Sequence, residues 1–184
     1  MNRLYSSKLW LAAAFGLLLL FSSCSATQSL QEYYVDNAQN PNFLAVDVPA
    51  NILKLEETDL GETELNAMRS VRKLNILAFR LTENNEAEFQ VERNTVKAIL
   101  KNEKYKELMK LNTKYGKGVI KYLGDEDAID EVIIYGDNTE DGFALIRILG
   151  KDMNPVHFAQ LMQSLEQDDF DTEGLSQLRG IFKG

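Results

Sequence analysis

The stretch V-I-K-Y-L-G-D-E-D-A-I-D-E-V-I-I-Y-G-D-N-T-E-D-G-F-A-L-I-R-I-L, residues Val119–Leu149, decides the fold. Gly124–Asp127 and Gly136–Gly142 have the composition of tight turns. They separate three runs rich in β-branched and aromatic side chains, which are typical of strands: Val119–Leu123, Glu131–Tyr135 and Phe143–Leu149. The pattern therefore predicts a meander of three antiparallel strands.

A strand and a helix are predicted before the meander. Leu74–Leu81 is apolar on both faces, so we expect it inside a sheet that is covered on both sides. Glu86–Leu100 has apolar residues at helical spacing and is predicted to be an amphipathic helix. Tyr105–Leu111 fits helical spacing and strand alternation equally well, and its periodicity does not decide between them.

The segments on either side give further elements. Phe43–Val48 alternates and ends at Pro49, which indicates either an edge strand or an extended lead-in. Short helices are predicted over Ile52–Glu57 and after Gly61.

Asn154 and Pro155 form a cap followed by proline, the usual start of a helix. The helix that follows has one apolar face, formed by Phe158, Leu161, Met162 and Leu165. The last residues, 168–184, are predicted to be an acidic linker and a short amphipathic helix carrying Leu175, Leu178, Ile181 and Phe182.

These elements predict one α+β domain over residues 42–167. Its mainly antiparallel sheet is expected to have about five strands, arranged as strand, helix and strand followed by the three-strand meander. Amphipathic helices are expected to pack on this sheet.

The N-terminal stretch K-L-W-L-A-A-A-F-G-L-L-L-L-F-S-S-C, residues 8–24, predicts export. Arg3 and Lys8 come before the apolar run Leu9–Phe21, which is the order found in a secretory signal. This run has 13 residues, whereas crossing a bilayer as a helix takes about 20. Residues 1–23 are therefore interpreted as a signal peptide.

Ser22 and Ser23 precede Cys24, the only cysteine of the chain. This arrangement resembles a bacterial lipobox, although Phe21 stands where leucine is usual. The resemblance implies that the Cys24 thiol receives a diacylglycerol, that the chain is cut before it, and that its amino group receives a further fatty acid such as palmitate. Three acyl chains would anchor the protein permanently in a membrane. A plain cleaved signal with an incidental cysteine is the alternative.

Residues 24–41 are polar and are interpreted as a lipidated tether. Tyr33 and Tyr34 within it would either dock on the domain, which we favour, or lie at the lipid interface. Ser25 resembles the residue found in lipoproteins sent to the outer membrane, and residues 25–28 hold no acidic residue of the kind used for surface export. We therefore expect a protein that faces the periplasm.

Charge limits the classes of partner. Cleavage before Cys24 leaves 184 − 23 = 161 residues, with 18 Lys and Arg against 28 Asp and Glu, a formal net charge of 18 − 28 = −10. Such a chain is not expected to bind nucleic acid or an anionic lipid surface through charge. With Cys24 acylated it has no free thiol for a disulfide, for catalysis or for zinc.

Few residues are candidates for chemistry, and neither a catalytic residue nor a cofactor is predicted. His157 is the only histidine and is interpreted as a solvated surface residue. Asp137, Asp141 and the following Gly142 match the first half of a calcium-binding EF-hand loop. The position that should supply a bidentate glutamate is Ile148, so a hairpin turn is favoured and the two aspartates stay weak metal candidates.

The order of motifs resembles a known family over about residues 42–166. The motifs are V-P-A-N-I-L-K-L, V-R-K-L-N-I-L-A-F, Y-K-E-L-M-K-L, E-V-I-I-Y-G-D and F-A-L-I-R-I-L-G. Together with the lipobox they resemble the short lipoproteins, typical of Bacteroidetes, that contain domain of unknown function 4252. The resemblance implies an α+β sandwich in which Tyr105–Leu111 is a strand, and it brings no known catalytic residue.

Two hypotheses for function follow from the sequence. The first is a non-enzymatic lipoprotein of the cell envelope that binds a protein partner for assembly or signalling, through its C-terminal tail or a sheet edge. The alternative is a periplasmic module that binds a small ligand or calcium. An enzyme that uses paired carboxylates is a third possibility, but no spacing in the sequence pairs them.

Overall fold

The computed structural model describes residues 28–50, 61–113, 116–125 and 128–167. Within these residues there are four helices, α1 (Leu30–Asn37), α2 (Glu62–Ser70), α3 (Glu86–Leu100) and α4 (Pro155–Gln167). There are also six strands, β1 (Phe43–Pro49), β2 (Val71–Arg80), β3 (Lys106–Thr113), β4 (Gly116–Gly124), β5 (Ile129–Asn138) and β6 (Gly142–Met153).

The strands form one antiparallel sheet in the order β1-β2-β6-β5-β4-β3. The predicted meander is β4-β5-β6, and β2 lies beside β6 in the interior of the sheet. The sheet has six strands rather than about five, because both undecided segments are edge strands. β1 pairs with β2 from Phe43 opposite Phe79, and β3 pairs with β4, as the family resemblance implied.

Helices cover both faces of the sheet, which confirms the α+β prediction and the burial expected for β2. The first face packs against α1 and α3, and its buried residues in the sheet are Phe43, Leu77, Phe79, Ile133, Tyr135, Phe143 and Leu145. The second face packs against α2 and α4, and its buried residues in the sheet are Ile120, Ile129, Val132, Ile148 and Met153.

Phenylalanine rings fill the centre of the first face. The Phe79 ring lies 5.0 Å from that of Phe43, 5.6 Å from that of Phe143 and 5.9 Å from that of Phe89, between ring centroids. Such pairs add about 0.5–1.5 kcal/mol each beyond their burial. They join β1, β2, β6 and α3 into one core.

The tether prediction is wrong for its second half. Leu30–Asn37 is a helix, and Leu30, Tyr33 and Tyr34 are buried, which confirms that the tyrosines dock on the domain. A capping box starts this helix: Glu32 N–H donates to Ser29 Oγ at 3.2 Å, and Ser29 N–H donates to Glu32 Oε2 at 2.7 Å. The sequence suggested a linker because only one turn of the segment is apolar.

The predicted turn Gly136–Gly142 also begins too early. β5 continues through Gly136 and Asp137, which pair with Ala144 and Phe143 of β6, and the turn is confined to residues 139–141. The predicted helices Glu86–Leu100 and Asn154–Leu165 and the helix after Gly61 are confirmed as α3, α4 and α2. The signal peptide, Cys24, the Ile52–Glu57 helix and the tail 168–184 lie outside the described residues.

Gly142 and Gly136 should respond oppositely to the same substitution. Gly142 has φ +123°, and a Cβ there would overlap the carbonyl oxygen of Phe79, so Gly142→Ala should lower the free energy of unfolding by more than about 1 kcal/mol. A Cβ on Gly136 meets no atom of the described residues within 4 Å, so Gly136→Ala should be neutral or stabilise by up to about 1 kcal/mol. Urea denaturation of both variants measures the difference, and equal losses would contradict this assignment.

Candidate functional site beneath the first helix

Polar side chains are buried under α1, on the first face of the sheet. Asn75, Glu131 and Arg147 are only 5%, 5% and 4% exposed. Asp47, Asn75 and Arg147 occupy paired positions on the adjacent strands β1, β2 and β6. Because a buried polar group is costly unless it is paired, the partners of these residues define the site.

Arg147 is the centre of the site. Its Nε donates to Glu131 Oε1 at 2.6 Å and its Nη2 donates to Glu131 Oε2 at 2.9 Å, so the two side chains form a bidentate ion pair between neighbouring strands. Its Nη1 donates to Gln31 Oε1 of α1 at 2.6 Å. The guanidinium therefore joins β5, β6 and α1.

A second group of contacts surrounds Asp47 on the edge strand. Its carboxylate accepts from Tyr34 Oη at 2.8 Å, from Lys73 Nζ at 2.9 Å and from Asn75 Nδ2. The hydrogen bond from Lys73 is the main reason that the pKa of Asp47 lies below its usual value. Burial, and then the hydrogen bond to Asp47, raise the pKa of Tyr34 to about 12.

Two tyrosines hold α1 against α3 and the segment that follows it. Leu30 N–H donates to Tyr105 Oη at 3.3 Å, and Tyr33 Oη donates to Glu92 Oε2 at 2.7 Å. Burial raises the pKa of Tyr33, so the phenol stays protonated as the donor at neutral pH. With Gln31 and Tyr34, four of the first five residues of α1 form hydrogen bonds to the rest of the domain.

Asp137, one of the two weak metal candidates, belongs to a separate cluster beneath α3. Its Oδ2 accepts from Arg93 Nε at 2.8 Å and from Tyr135 Oη at 3.0 Å, and it forms an ion pair with Lys97. Burial alone would raise the pKa of Asp137, but the hydrogen bonds from Arg93, Lys97 and Tyr135 together lower it. Two cations already neutralise this carboxylate, which makes it a poor calcium ligand.

The other candidates lie apart from both clusters. Asp141 is in the β5–β6 turn, where it accepts from Asn138 Nδ2 at 2.9 Å. His157 is half-buried in the first turn of α4, and its backbone N–H donates to Oδ1 of the capping residue Asn154 at 3.3 Å. In the described part of the chain, no three His, Cys, Asp or Glu side chains are grouped so that they could hold a metal ion.

The polar side chains of this site hold α1 in place. Both oxygens of Glu131 accept hydrogen bonds from Arg147, and the carboxylate of Asp47 accepts from three donors.

No helix among the described residues is both long and apolar enough to cross a membrane.

Sequence reasoning missed Arg147 and Glu131. The available signal was a single charge inside each of two apolar strands, I-R-I-L and E-V-I-I, at positions that face the core. Gln31 gave no signal, because nothing in the sequence relates it to residues more than a hundred positions away.

The sequence profile of the domain of unknown function DUF4252 matches residues 33–161. The chain belongs to this family. The match covers 161 − 32 = 129 of the 184 residues, from within α1 to within α4. The helix α1, which the sequence suggested was part of a tether, therefore lies partly inside the family domain.

No curated protein and no solved structure is significantly similar to the chain.

Removing only one partner of the buried ion pair should be far more damaging than removing both. Arg147→Met leaves Glu131 charged and unpaired in the core, which should cost about 3–5 kcal/mol of unfolding free energy. The double variant Arg147→Met/Glu131→Leu leaves no buried charge and should regain most of that loss. Chemical denaturation of the two single variants and the double variant measures the coupling. Additive losses would contradict the pairing.

The Asp137 cluster should contribute stability only where its carboxylate is ionised. Its pKa is lowered on folding, so its contribution is present above the unfolded value of about 3.8 and is lost as the pH falls through the lower folded value. Asp137→Asn should therefore destabilise by about 1–2 kcal/mol at pH 7. The difference from wild type should shrink below about pH 4, as measured by denaturation at each pH. A difference independent of pH would contradict this role.

Proposed function

We propose that this chain is a non-enzymatic lipoprotein of the cell envelope whose α+β domain binds a protein partner. The anchor is acylated Cys24 after removal of the signal peptide 1–23, and the domain faces the periplasm from the outer membrane. The lipobox-like sequence supports the anchor. The pairing of Arg147 with Glu131 and Gln31, and of Asp47 with Tyr34, supports a domain that binds rather than reacts, because these groups are used to hold α1.

A row of small residues on the second face is the observation that carries the partner-binding proposal. Strand pairing aligns six residues across the whole sheet in the order Leu44, Ala78, Ala144, Gly136, Gly118 and Leu111. Alanine and glycine form the middle of the row, and leucine forms each end. We call this row the trough.

The trough is apolar and leaves room at two positions, although Ala78 within it is only 5% exposed. Leu44 is 37% exposed, and no atom of the described residues lies within 4 Å of a Cβ added at Gly136. In the next row, Ile134 and Ile146 are half-buried, whereas Ile76 and Ile120 are buried. An apolar surface of this kind that crosses six strands is unusual unless a partner covers it.

The chemistry of the trough favours one kind of binding segment. Neither row contains a charged side chain between β1 and β3, so nothing in them would compensate a charged ligand. Small residues let a backbone approach closely, and five strand spacings make the trough about 24 Å long. An amphipathic segment of an envelope protein, lying with its apolar side on the sheet, fits this surface.

A bulky side chain at Gly136 should block partner capture without unfolding the domain. Tagged protein is crosslinked in envelopes, solubilised in detergent and captured, and its partners are measured by quantitative mass spectrometry. Gly136→Leu fills open space, so captured partner should fall at least about tenfold, while the unfolding free energy changes by less than about 1 kcal/mol.

Two controls accompany this experiment. Val91→Leu enlarges a residue that is 61% exposed on α3, on the other side of the sheet, and should capture the partner normally. Cys24→Ala should lose the partner together with the anchor. Equal capture by Gly136→Leu and wild type would refute the trough as the binding surface, and an empty capture from wild type would refute the partner.

A further inference from the structure

The part of the trough that lies over β6, β5 and β4 is only half-buried. Ala144, Gly136 and Gly118 form it, one on each strand, and Ile146 and Ile134 beside them are half-buried too. Because alanine and glycine have almost no side chain, this part of the second face is a shallow apolar depression. An apolar segment with larger side chains would fill it.

The helix α4 brings the chain onto this same face. It follows β6, whose last residue Met153 lies at the end of the sheet opposite to the trough. The side chains of Phe158 and Leu161 are buried on the second face. In the last turn of α4, Ser164 Oγ donates at 3.3 Å to Oε1 of Glu64, in the first turn of α2, which packs on this face as well. The chain therefore leaves α4 on the face that carries the trough.

A short connection is enough to reach the trough from α4. Seven residues, 168–174, separate Gln167 from Leu175, and their eight residue steps span at most about 28 Å. For comparison, the nine residue steps of β6 from Met153 to Ala144 cover about 31 Å, nearly the whole length of the sheet. The connection can thus bring Leu175 to the trough without passing around an edge of the sheet.

The sequence after this connection complements the trough. Residues 175–182, L-S-Q-L-R-G-I-F, carry four large apolar side chains on one side of the predicted helix and a single charge, Arg179. Side chains three or four positions apart on a helix are separated by about 4.5–6 Å along its axis, and neighbouring strands are about 4.8 Å apart. Leu175, Leu178 and Phe182 are therefore spaced to lie over three successive strands, where the trough has only alanine or glycine.

We propose that the segment Leu175–Phe182 docks in the trough of its own domain, and that a partner must displace it to bind there. The displacement rests on the proposed function, whereas the docking does not. A segment held by so short a connection has an effective concentration of about a millimolar, so any intrinsic affinity tighter than this keeps it docked. The partner then competes with a segment of the same amphipathic chemistry.

Photo-crosslinking in envelopes tests where the segment lies. Photoreactive p-benzoylphenylalanine replaces Phe182 in one variant of the full chain, and Ser176, on the opposite side of the predicted helix, in a matched control. After irradiation the protein is purified and digested, and its crosslinked peptides are identified by mass spectrometry. Position 182 should crosslink to peptides of β4, β5 and β6 at least about fivefold more than position 176, because only one side of the helix faces the sheet.

Substitutions in the domain locate the docking surface. Adding Gly136→Leu should remove most crosslinks from position 182, because the leucine fills the space that the segment occupies. Adding Val91→Leu, on an exposed position of α3 at the other face, should leave them unchanged. Equal crosslinking from positions 182 and 176, or crosslinks that persist with Gly136→Leu, would overturn docking in the trough. Crosslinks that join two copies into a dimer would overturn docking within one chain.

Partner capture tests the displacement separately. Leu178→Ser with Phe182→Ser weakens the docked segment and should raise the amount of captured partner at least about threefold. Ser176→Ala with Gln177→Ala, away from the apolar side, should not change it. Capture unchanged by the serine substitutions would overturn the displacement. No partner with wild type or with either variant would overturn the proposed function, while the crosslinks from position 182 decide the docking by themselves.

Discussion

The pairing of Arg147 with Glu131 is the constraint around which the first face is built. Both side chains point into the protein interior from neighbouring strands, where an unpaired charge would cost several kcal/mol. The bidentate geometry satisfies both oxygens of the Glu131 carboxylate. A further N–H of the Arg147 guanidinium donates to Gln31 of α1. The ion pair therefore requires the helix above it, and the helix gains its position from the ion pair.

The two faces of the sheet differ in the size and burial of their side chains. The first face has large aromatic residues and two docked helices that are linked to the sheet by hydrogen bonds and ion pairs. The second face has small residues along the trough and half-buried isoleucines beside it. Because side chains alternate along each strand, one sheet supplies both surfaces. A change at Gly136 thus alters the second face without disturbing the phenylalanine core.

The elements that were predicted correctly are those with strong local patterns in the sequence. The meander and α3 have dense apolar periodicity, and their positions follow from it. The segment that became β3 was undecided because alternation and helical spacing coincided, and its pairing with β4 decides in favour of a strand. Gly136 suggested a turn, yet it lies inside β5. Glycine also occurs in strand interiors, where another backbone or a ligand can approach closely.

The site itself is a tertiary feature and left little trace in local sequence. The segment that forms α1 is only eight residues long, shorter than helices that are stable alone. Its helix exists because the Ser29 capping box starts it and because Gln31, Tyr33 and Tyr34 bind distant residues. No period or motif relates these positions, so the cluster is visible only once the strands are placed.

The contacts of α1 join residues that are far apart in the sequence, and this separation indicates when α1 docks during folding. Gln31 and Arg147 are 116 residues apart, and Leu30 and Tyr105 are 75 apart. The loops that these contacts close carry a large entropic cost until the intervening strands have formed. The helix α1 is thus expected among the last elements to be secured, because its docking requires β6, near the other end of the domain, to be in place.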